Sequence, residues 1–507
     1  MVTNILQYLT ETAEKFPNKT AFCDGRDSVT FSSLLRLARK NAKELIKGTK
    51  KNDFIAVLTD RSIFPLIGFM SAVACGCCYV PIDASMPYDR MSNILSQINP
   101  AYIIYHGSLE KKAMELEEFA PIYPLICEDD GENEEYSVLR CRLESLIDLD
   151  PLYMIFTSGS TGTPKGILIT HRCVIDFIEW FSSTCKLDQN DVMGNQAPFY
   201  FDLSVKDIYT AIRTGATVHI LPQKFFMFPK HLAKYLNENK ITTLVWVTSG
   251  FRLIASSGLF EKMKFDTVKK VILGGEALRA VHLNIWRSAM PDIEYINLYG
   301  PTEATVDCTY FPITREYADD EIIPIGKSCH NKEVMLLDDD LMPVLSGEIG
   351  EICVRGSGLA IGYFNDEEKT NKAFVQNPSV RYPDRIYRTG DLGRLDCDGN
   401  IIFVSRKDFQ IKHMGYRIEL GEIEATICSI DGVDDNVCIF DTENDRIICF
   451  CKSDLSEEEL TAKSKTGIPK YMVPNVWIKT ESFPQNANGK IDRNRLKEIY
   501  FDSCKQL

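Results

Sequence analysis

Apolar residues recur along the chain with two different periods. Short β-branched and aromatic runs at 54–58, 102–105, 217–221, 243–247 and 271–273 read as buried strands. Helical spacing separates several of them. Leu34, Leu37, Ala38, Ala42 and Leu45 share one helix face, with Ser32 or Ser33 available as a cap and Gly48 as a stop; 229–237 is a second helical stretch. This alternation predicts layered α/β structure with much parallel sheet. Near residue 330 the pattern changes to strand–turn–strand units: 334–337, a turn at 338–340, then 349–354, and another pair flanking 396–400. Beyond Lys407 the chain reads as a small α+β unit, with helices at 418–428 and 456–462 and strands at 437–440, 446–451 and 476–480. The expected fold is α/β. A large N-terminal domain, 1–407, is built of layered α/β subdomains with a β-rich portion, and a small mobile α+β domain follows at 408–507. The junction at 406–408 lacks the composition of a floppy linker, so it is expected to act as a hinge.

The run 64–82 carries no charge and approaches the ~20 residues of a membrane span. Its Pro65, Gly68, Gly76 and Pro81, and the flanking Arg61 and Asp83, favour a core helix followed by a strand at 79–82. No membrane insertion is expected. Over 507 residues, 45% hydrophobic and 25% charged, the composition is that of a globular protein. The excess of 71 acidic over 57 basic residues, net −14, repels phosphate backbones and argues against nucleic acid as a partner. Seventeen cysteines are scattered and odd in number, and the first residues lack a basic region leading into an apolar run. Free thiols in a cytoplasmic protein are the expectation. Cys75, Cys77 and Cys78 lie close together, but without the paired spacing of a zinc site they read as buried small residues.

The densest chemical signal is YMIFTSGSTGTPKGIL at 153–168, where an apolar strand runs into small residues and then Lys165. Backbone N–H groups of such a loop can wrap a phosphate. Hydroxyls of Thr157, Ser158, Ser160, Thr161 and Thr163 add donors around Gly159 and Gly162, and Lys165 adds positive charge. It is not a Walker A loop: counted from Gly159, Pro164 stands where the second glycine belongs.

This loop resembles the phosphate loop of the acyl-adenylate-forming superfamily, which includes acyl-CoA synthetases, firefly-type luciferases and the adenylation domains of nonribosomal peptide synthetases. NLYGPTE at 297–303, YRTGD at 387–391, SRKDFQIKHMGYRIELGEIE at 405–424 and QNANGKIDR at 485–493 resemble further signatures in the family's order. Within the family, the chain is most similar to peptide-synthetase adenylation domains and D-alanine:D-alanyl carrier protein ligases.

The resemblance implies a two-step reaction with ATP and Mg²⁺ as cofactors. A carboxylate attacks the α-phosphate of ATP and releases pyrophosphate; a thiol then takes the acyl group from the adenylate. Glu303 would hold Mg²⁺. Tyr299 would lie against adenine, in the nucleotide site that also takes in Asn297, Gly300 and Thr302. Asp391 would accept from both ribose hydroxyls, and Arg406 would sit near ribose and phosphates. Lys490 would stabilise charge in the adenylation transition state, and Asp408 would be the hinge about which the small domain rotates, withdrawing Lys490 and bringing in the 412–415 loop. Read without the family, Glu303 is a solvated loop carboxylate and Asp391 a turn residue.

FYFDLSVK at 199–206 bears on the substrate. Asp202 matches the residue that pairs with an amino acid's ammonium group in the peptide-synthetase branch, and a buried unpaired Asp would be costly. It reads equally as the N-cap of a helix at 203–213. The implied pocket walls are Asp202, Leu203, Lys206, Ile272, Gly274, Leu298, Val306 and Asp307. Gly274 leaves room for a side chain. Lys206 and Asp307 either read a polar side chain, closer to glutamate or glutamine than to alanine, or Lys206 pairs with Asp307 or Asp207. Without an attachment, condensation or thioesterase motif in the chain, the thiol is expected on a separate phosphopantetheinyl carrier protein, with coenzyme A as the alternative. The competing readings are an acyl-CoA synthetase for a small acid and a non-catalytic nucleotide binder. Ser405, His413 and Met414 depart from the family pattern around the thiolation loop.

Overall fold

The computed structural model describes residues 2–131, 137–159, 164–485 and 491–505. The chain divides into two compact units. One comprises Met1–Ser85, Leu95–Phe156 and Gly166–Lys407; the other comprises Asp408–Leu507 together with Met86–Ile94 and Thr157–Lys165.

The first unit is α/β, as its alternation predicts. Its nine-stranded sheet runs in the order Lys327–Ser328, Thr309–Pro312, Glu294–Tyr299, Lys270–Gly274, Thr243–Val247, Val192–Asn195, Thr217–Ile220, Thr20–Cys23 and Ser28–Thr30. From Glu294–Tyr299 to Thr20–Cys23 every pairing is parallel, and antiparallel strands close both edges. Parallel strands are buried on both faces, so they read as continuous apolar runs rather than alternating ones; Thr243–Val247 is buried at every position. A seven-stranded sheet contains Phe54–Thr59, paired in parallel with Cys78–Asp83 and Tyr102–Tyr105. The uncharged run forms the helix Phe64–Ala74, buried all round, and then the strand Cys78–Asp83. A helix apolar on every face belongs in a large core, and no helix among the described residues is long and apolar enough to cross a membrane. The β-rich portion is a five-stranded antiparallel sheet of Lys332–Leu337, Gly350–Gly356, Arg385–Leu395, Phe374–Gln376 and Ile401–Arg406.

The second unit contains a hairpin, Gln410–His413 with Tyr416–Glu419, and a three-stranded sheet of Val433–Asp441, Arg446–Ser453 and Val476–Lys479. Helices Leu420–Cys428 and Glu457–Gly467 accompany them, the latter started by a capping box between Ser456 and Glu459.

Two local expectations are corrected. The helix Phe31–Leu45 is capped by Thr30, whose side chain accepts from the Ser33 N–H, not by Ser32 or Ser33. Residues 416–419 are a strand and not the first turn of a helix, because they pair with Gln410–His413. The periodic apolar residues Ile423 and Ile427 belong to the helix that begins only at Leu420.

Candidate functional site

Ligands of parallel α/β sheets sit outside the carboxyl ends of the strands. In the nine-stranded sheet those ends carry Asn195, Val247, Gly274 and Tyr299. Around them the first unit gathers the buried residues Asp202, Lys206, Glu303, Asp307 and Asn297.

Tyr299 ends its strand with its hydroxyl donating to one oxygen of Asp391; Arg406 donates to the other and also reaches the Thr389 carbonyl, at 3.3 Å. The antiparallel register sets Asp391 opposite Arg406. The Thr389 hydroxyl accepts from the Asp391 N–H at 2.9 Å and so fixes the backbone before the carboxylate. Burial, then the Asp391 charge, pushes the Tyr299 phenol far above its usual range, so it remains a donor. The residue expected against adenine thus spends its polar end on the residue expected at the ribose. Each carboxylate oxygen has a second lone pair, so Asp391 can accept further. Asn297 donates to the Pro324 carbonyl at 2.9 Å, and its Oδ1 is buried without a partner among the described residues.

Glu303 lies in the short turn Thr302–Ala304, wholly buried, and accepts from Tyr363 Oη at 2.7 Å. It is therefore not a solvated loop carboxylate. Mg²⁺ takes one or two protein carboxylates and completes its shell with phosphate oxygens and water, which Glu303 fits. Among the described residues no three His, Cys, Asp or Glu side chains cluster as a metal cage.

After Glu303 the backbone turns through Thr305 and Val306 at φ 55° and 66°. Two adjacent β-branched residues in the left-handed region are strained, each at a cost of order 1–3 kcal/mol. Gly300 permits the turn, since a Cβ there would lie 2.5 Å from both Asp307 Cα and the Val306 carbonyl oxygen. Buried Lys332 ties it down by donating to the carbonyls of Ala304, Thr305 and Asp307 at 2.8, 3.1 and 2.6 Å, above the Phe177 ring. The turn delivers Asp307 to Lys206, whose Nζ donates to Asp307 Oδ2 at 3.0 Å, with side-chain exposures of 0% for the lysine and 2% for the aspartate.

Lys206 lies on helix Ser204–Thr214, whose cap position falls to Leu203 with no side-chain cap, so Asp202 is not an N-cap. Asp202 is buried, and its charge is felt by the Tyr153 phenol, which burial above all, then Tyr79 and Asp202, pushes well above its usual range. Of the two alternatives for Lys206, the partner is Asp307. Asp207 instead accepts from Asn195 at 2.6 Å, and burial pushes it up to about 7. Lys332, Tyr363 and Thr389 were not among the residues singled out from sequence.

In the second unit, Thr157 and Ser158 are buried, and Thr157 Oγ1 has no partner among the described residues. Ser158 Oγ donates to the Arg417 carbonyl at 2.7 Å and accepts from the Glu419 N–H at 3.1 Å. Gly159 is buried and Lys165 half-buried at the start of a strand. Asp408 accepts from the Gln410 N–H at 3.2 Å. His413 is anchored to Asp445 at 2.9 Å, and Met414 beside it is exposed with φ 53°. Arg90 pairs with Glu422, both buried. Ser160, Thr161, Gly162, Thr163 and Lys490 lie outside the described residues.

The fold is that of an α/β protein, and comparison supplies the family. The chain belongs to the AMP-binding enzyme family, whose model matches residues 9–364. It is 33% identical over 496 residues to bacitracin synthase 1 of Bacillus licheniformis, a match covering 96% of this chain and 9% of that protein. It thus spans only a small part of such relatives' length. Its fold is similar to that of an NRPS protein containing adenylation and PCP domains bound to a vinylsulfonamide inhibitor (TM-score 0.82, 23% identity, 97% of this chain and 84% of that one). It is similar also to an artificially fused adenylation–PCP di-domain NRPS from Klebsiella oxytoca (TM-score 0.80, 22% identity, 94% of each chain).

Proposed function

We propose that this protein activates an amino acid with ATP and Mg²⁺, forming an aminoacyl-adenylate and pyrophosphate, and passes the aminoacyl group to the phosphopantetheine thiol of a carrier protein. The observation that carries the reading is Glu303 and Asp391 buried and oriented by Tyr363, Arg406 and Tyr299 around the carboxyl end of one parallel strand. Buried carboxylates aimed by dedicated partners suit a metal-bound polyphosphate and a ribose diol. In this reading residues 1–407 bind ATP and the amino acid, and 408–507 form the lid that carries Lys490, turning about Asp408. The loop from Thr157 to Lys165 takes the phosphates. Asn297, Gly300 and Thr302 complete the nucleotide site. Asp202 holds the substrate's ammonium group, and as a buried carboxylate it suits a cation better than the tail of a simple acid.

Pyrophosphate exchange with a mixture of amino acids tests the first step; exchange above the amino-acid-free background is expected. Loading of a phosphopantetheinylated carrier against coenzyme A tests the second, and faster loading of coenzyme A would overturn the assignment of the acceptor. Lys490→Ala should lose roughly 10²–10³ of adenylation rate, the scale of one preorganised donor, and much less of thiol transfer. Asp408→Pro should stall turnover after the adenylate while exchange survives.

A further inference from the structure

The turn at Cys75, Gly76 and Cys77, conspicuous in the sequence and unused by the function proposed above, is built around two sulfurs. It ends helix Phe64–Ala74: the Cys75 N–H donates to the Ser71 carbonyl and the Cys77 N–H to the Ala72 carbonyl, each at 3.0 Å. Gly76 takes φ 71°, in the left-handed region that favours glycine, and a Cβ there would lie 3.0 Å from both Cγ and Cδ of Arg142. The absent side chain lets the arginine lie over the turn. Its guanidinium donates to the Cys75 carbonyl at 3.2 Å and to the Thr49 hydroxyl and carbonyl at 2.9 and 2.8 Å, and comes within 3.7 Å of Cys75 Sγ. The Thr49 hydroxyl, 3.0 Å from the Leu45 carbonyl, meets the same sulfur at 3.1 Å. Cys77 Sγ lies 3.4 Å from the Lys50 carbonyl and 3.9 Å from that of Cys75. Both sulfurs are buried, yet the residues that touch them reach the surface: Arg142 is half-buried and Lys50 exposed. The Cys77 thiol, then Thr49 and Arg142, outweigh burial and hold the Cys75 thiol below its ordinary range, while the Cys75 sulfur and burial push Cys77 far above it. Burial alone acts on Cys78 and pushes it up as well.

We infer that Cys75 and Cys77 form an oxidisable dithiol, a modification site that hydrogen peroxide converts to a disulfide, with Cys75 as the attacking sulfur. The inference does not rest on the function proposed above. A nucleophilic sulfur needs its thiolate form, favoured beside positive charge and hydrogen-bond donors; Cys75 has Arg142 and Thr49. A resolving sulfur needs only to stay a thiol within reach, and Cys77 stands two residues away across a glycine. In the first step the Cys75 thiolate takes one oxygen of the peroxide. The O–O bond breaks, hydroxide leaves with the proton that Cys75 shed, as water, and a sulfenic acid remains. In the second step the Cys77 sulfur attacks the sulfenic sulfur. The S–O bond breaks, the S–S bond forms, and the departing hydroxide takes the Cys77 proton as a second water. Two thiols are oxidised and one peroxide is reduced. Peroxide suits the place because a molecule of two oxygens can reach sulfurs of residues 0% and 2% exposed, where a peptide-sized disulfide cannot lie against them. Among the described residues no three His, Cys, Asp or Glu side chains gather there, so the pair is no metal cage. The bond closes a very short loop, where a cross-link restricts the unfolded chain least, so a dithiol reductant should reverse it.

The test treats the full native chain with hydrogen peroxide, blocks the remaining thiols with iodoacetamide and maps the cysteines by mass spectrometry. The peptide carrying Cys75 and Cys77 should lose two hydrogens and regain them with dithiothreitol. It should react roughly tenfold or more faster than Cys78, which is as buried but lacks the donors. Cys77→Ser should leave on Cys75 a sulfenic acid that dimedone labels, and Cys75→Ser should leave Cys77 unlabelled. The wild-type map decides the question even where the variants fail to fold. Cys75 and Cys77 remaining free thiols while the exposed Cys141, Cys397 or Cys428 oxidise overturns the inference. A bond between Cys77 and Cys78 overturns the pairing, and dimedone on Cys77 in Cys75→Ser overturns the choice of attacking sulfur.

Discussion

Two buried aspartates in the first unit have opposite surroundings. Asp391 is held on both sides: Arg406 and Tyr299 each hold one oxygen, Thr389 fixes its backbone, and the guanidinium has a second acceptor in the Thr389 carbonyl. Asp307 meets Lys206 through one oxygen, and among the described residues that is the lysine's one hydrogen bond. The first arrangement is a finished scaffold that presents a carboxylate in a fixed direction. The second is drier, with side-chain exposures of 0% and 2% against 12% and 4%, and fewer groups hold it. Buried ion pairs are weak evidence of stabilisation in themselves; the two differ in how many groups fix the direction of the carboxylate.

The contrast can be broken by mutation, beginning with the largest effect. Asp391→Ala strands the Arg406 guanidinium and should cost about 3–5 kcal/mol in urea unfolding; a loss below about 1 kcal/mol would mean Asp391 is no scaffold. Asp207→Asn tests whether Lys206 is committed to Asp307. Burial pushes Asp207 up to about 7, so the folded protein keeps a proton that the unfolded chain releases near pH ~4. That contribution to stability is complete at pH ~4 and is lost as pH rises through about 7. The uncharged variant should therefore match wild type at pH ~4 and exceed it at pH ~8, by up to ~4 kcal/mol. Melting curves across that range with no widening gap would mean that Lys206 neutralises Asp207 instead. Lys332→Met removes the donor from three carbonyls and should cost about 2–3 kcal/mol. It should also raise KM for the amino acid more than for ATP, since Asp307 drifts first; equal rises would detach the turn from the pocket. The smallest change, Tyr363→Phe, takes one hydrogen bond from Glu303 and should cost about 1 kcal/mol, visible mainly as a higher Mg²⁺ requirement in exchange.

The strands of the parallel sheets were legible because burial on both faces leaves continuous apolar runs such as Thr243–Val247. Asp202, Glu303, Asp391 and Arg406 stand out in the sequence through motif. The supports of the site were not. Lys332 begins a strand beside other polar residues and reads as an exposed edge lysine; its burial follows from a turn about 25 residues earlier in the chain folding back onto it. Tyr363 is more remote still, 60 residues along the chain from Glu303. Even the tie between Lys206 and Asp307 was one of several local possibilities until the strained backbone at Thr305 and Val306 selected it. Periodicity and motif report on neighbours along the chain, and these partners meet only in space.

Glu303 and Asp307 flank the same bent stretch of backbone, one proposed above for the metal and the other expected at the wall of the substrate pocket. A displacement at either end is transmitted through the three residues between them with little slack. An amino acid that seats badly would misalign the phosphates as well as leave sooner, so discrimination should register in the speed of the chemical step and not in residence time alone. Selectivity would then be a property of the fully assembled complex, and equilibrium binding of an amino acid in the absence of ATP would understate how sharply this enzyme chooses.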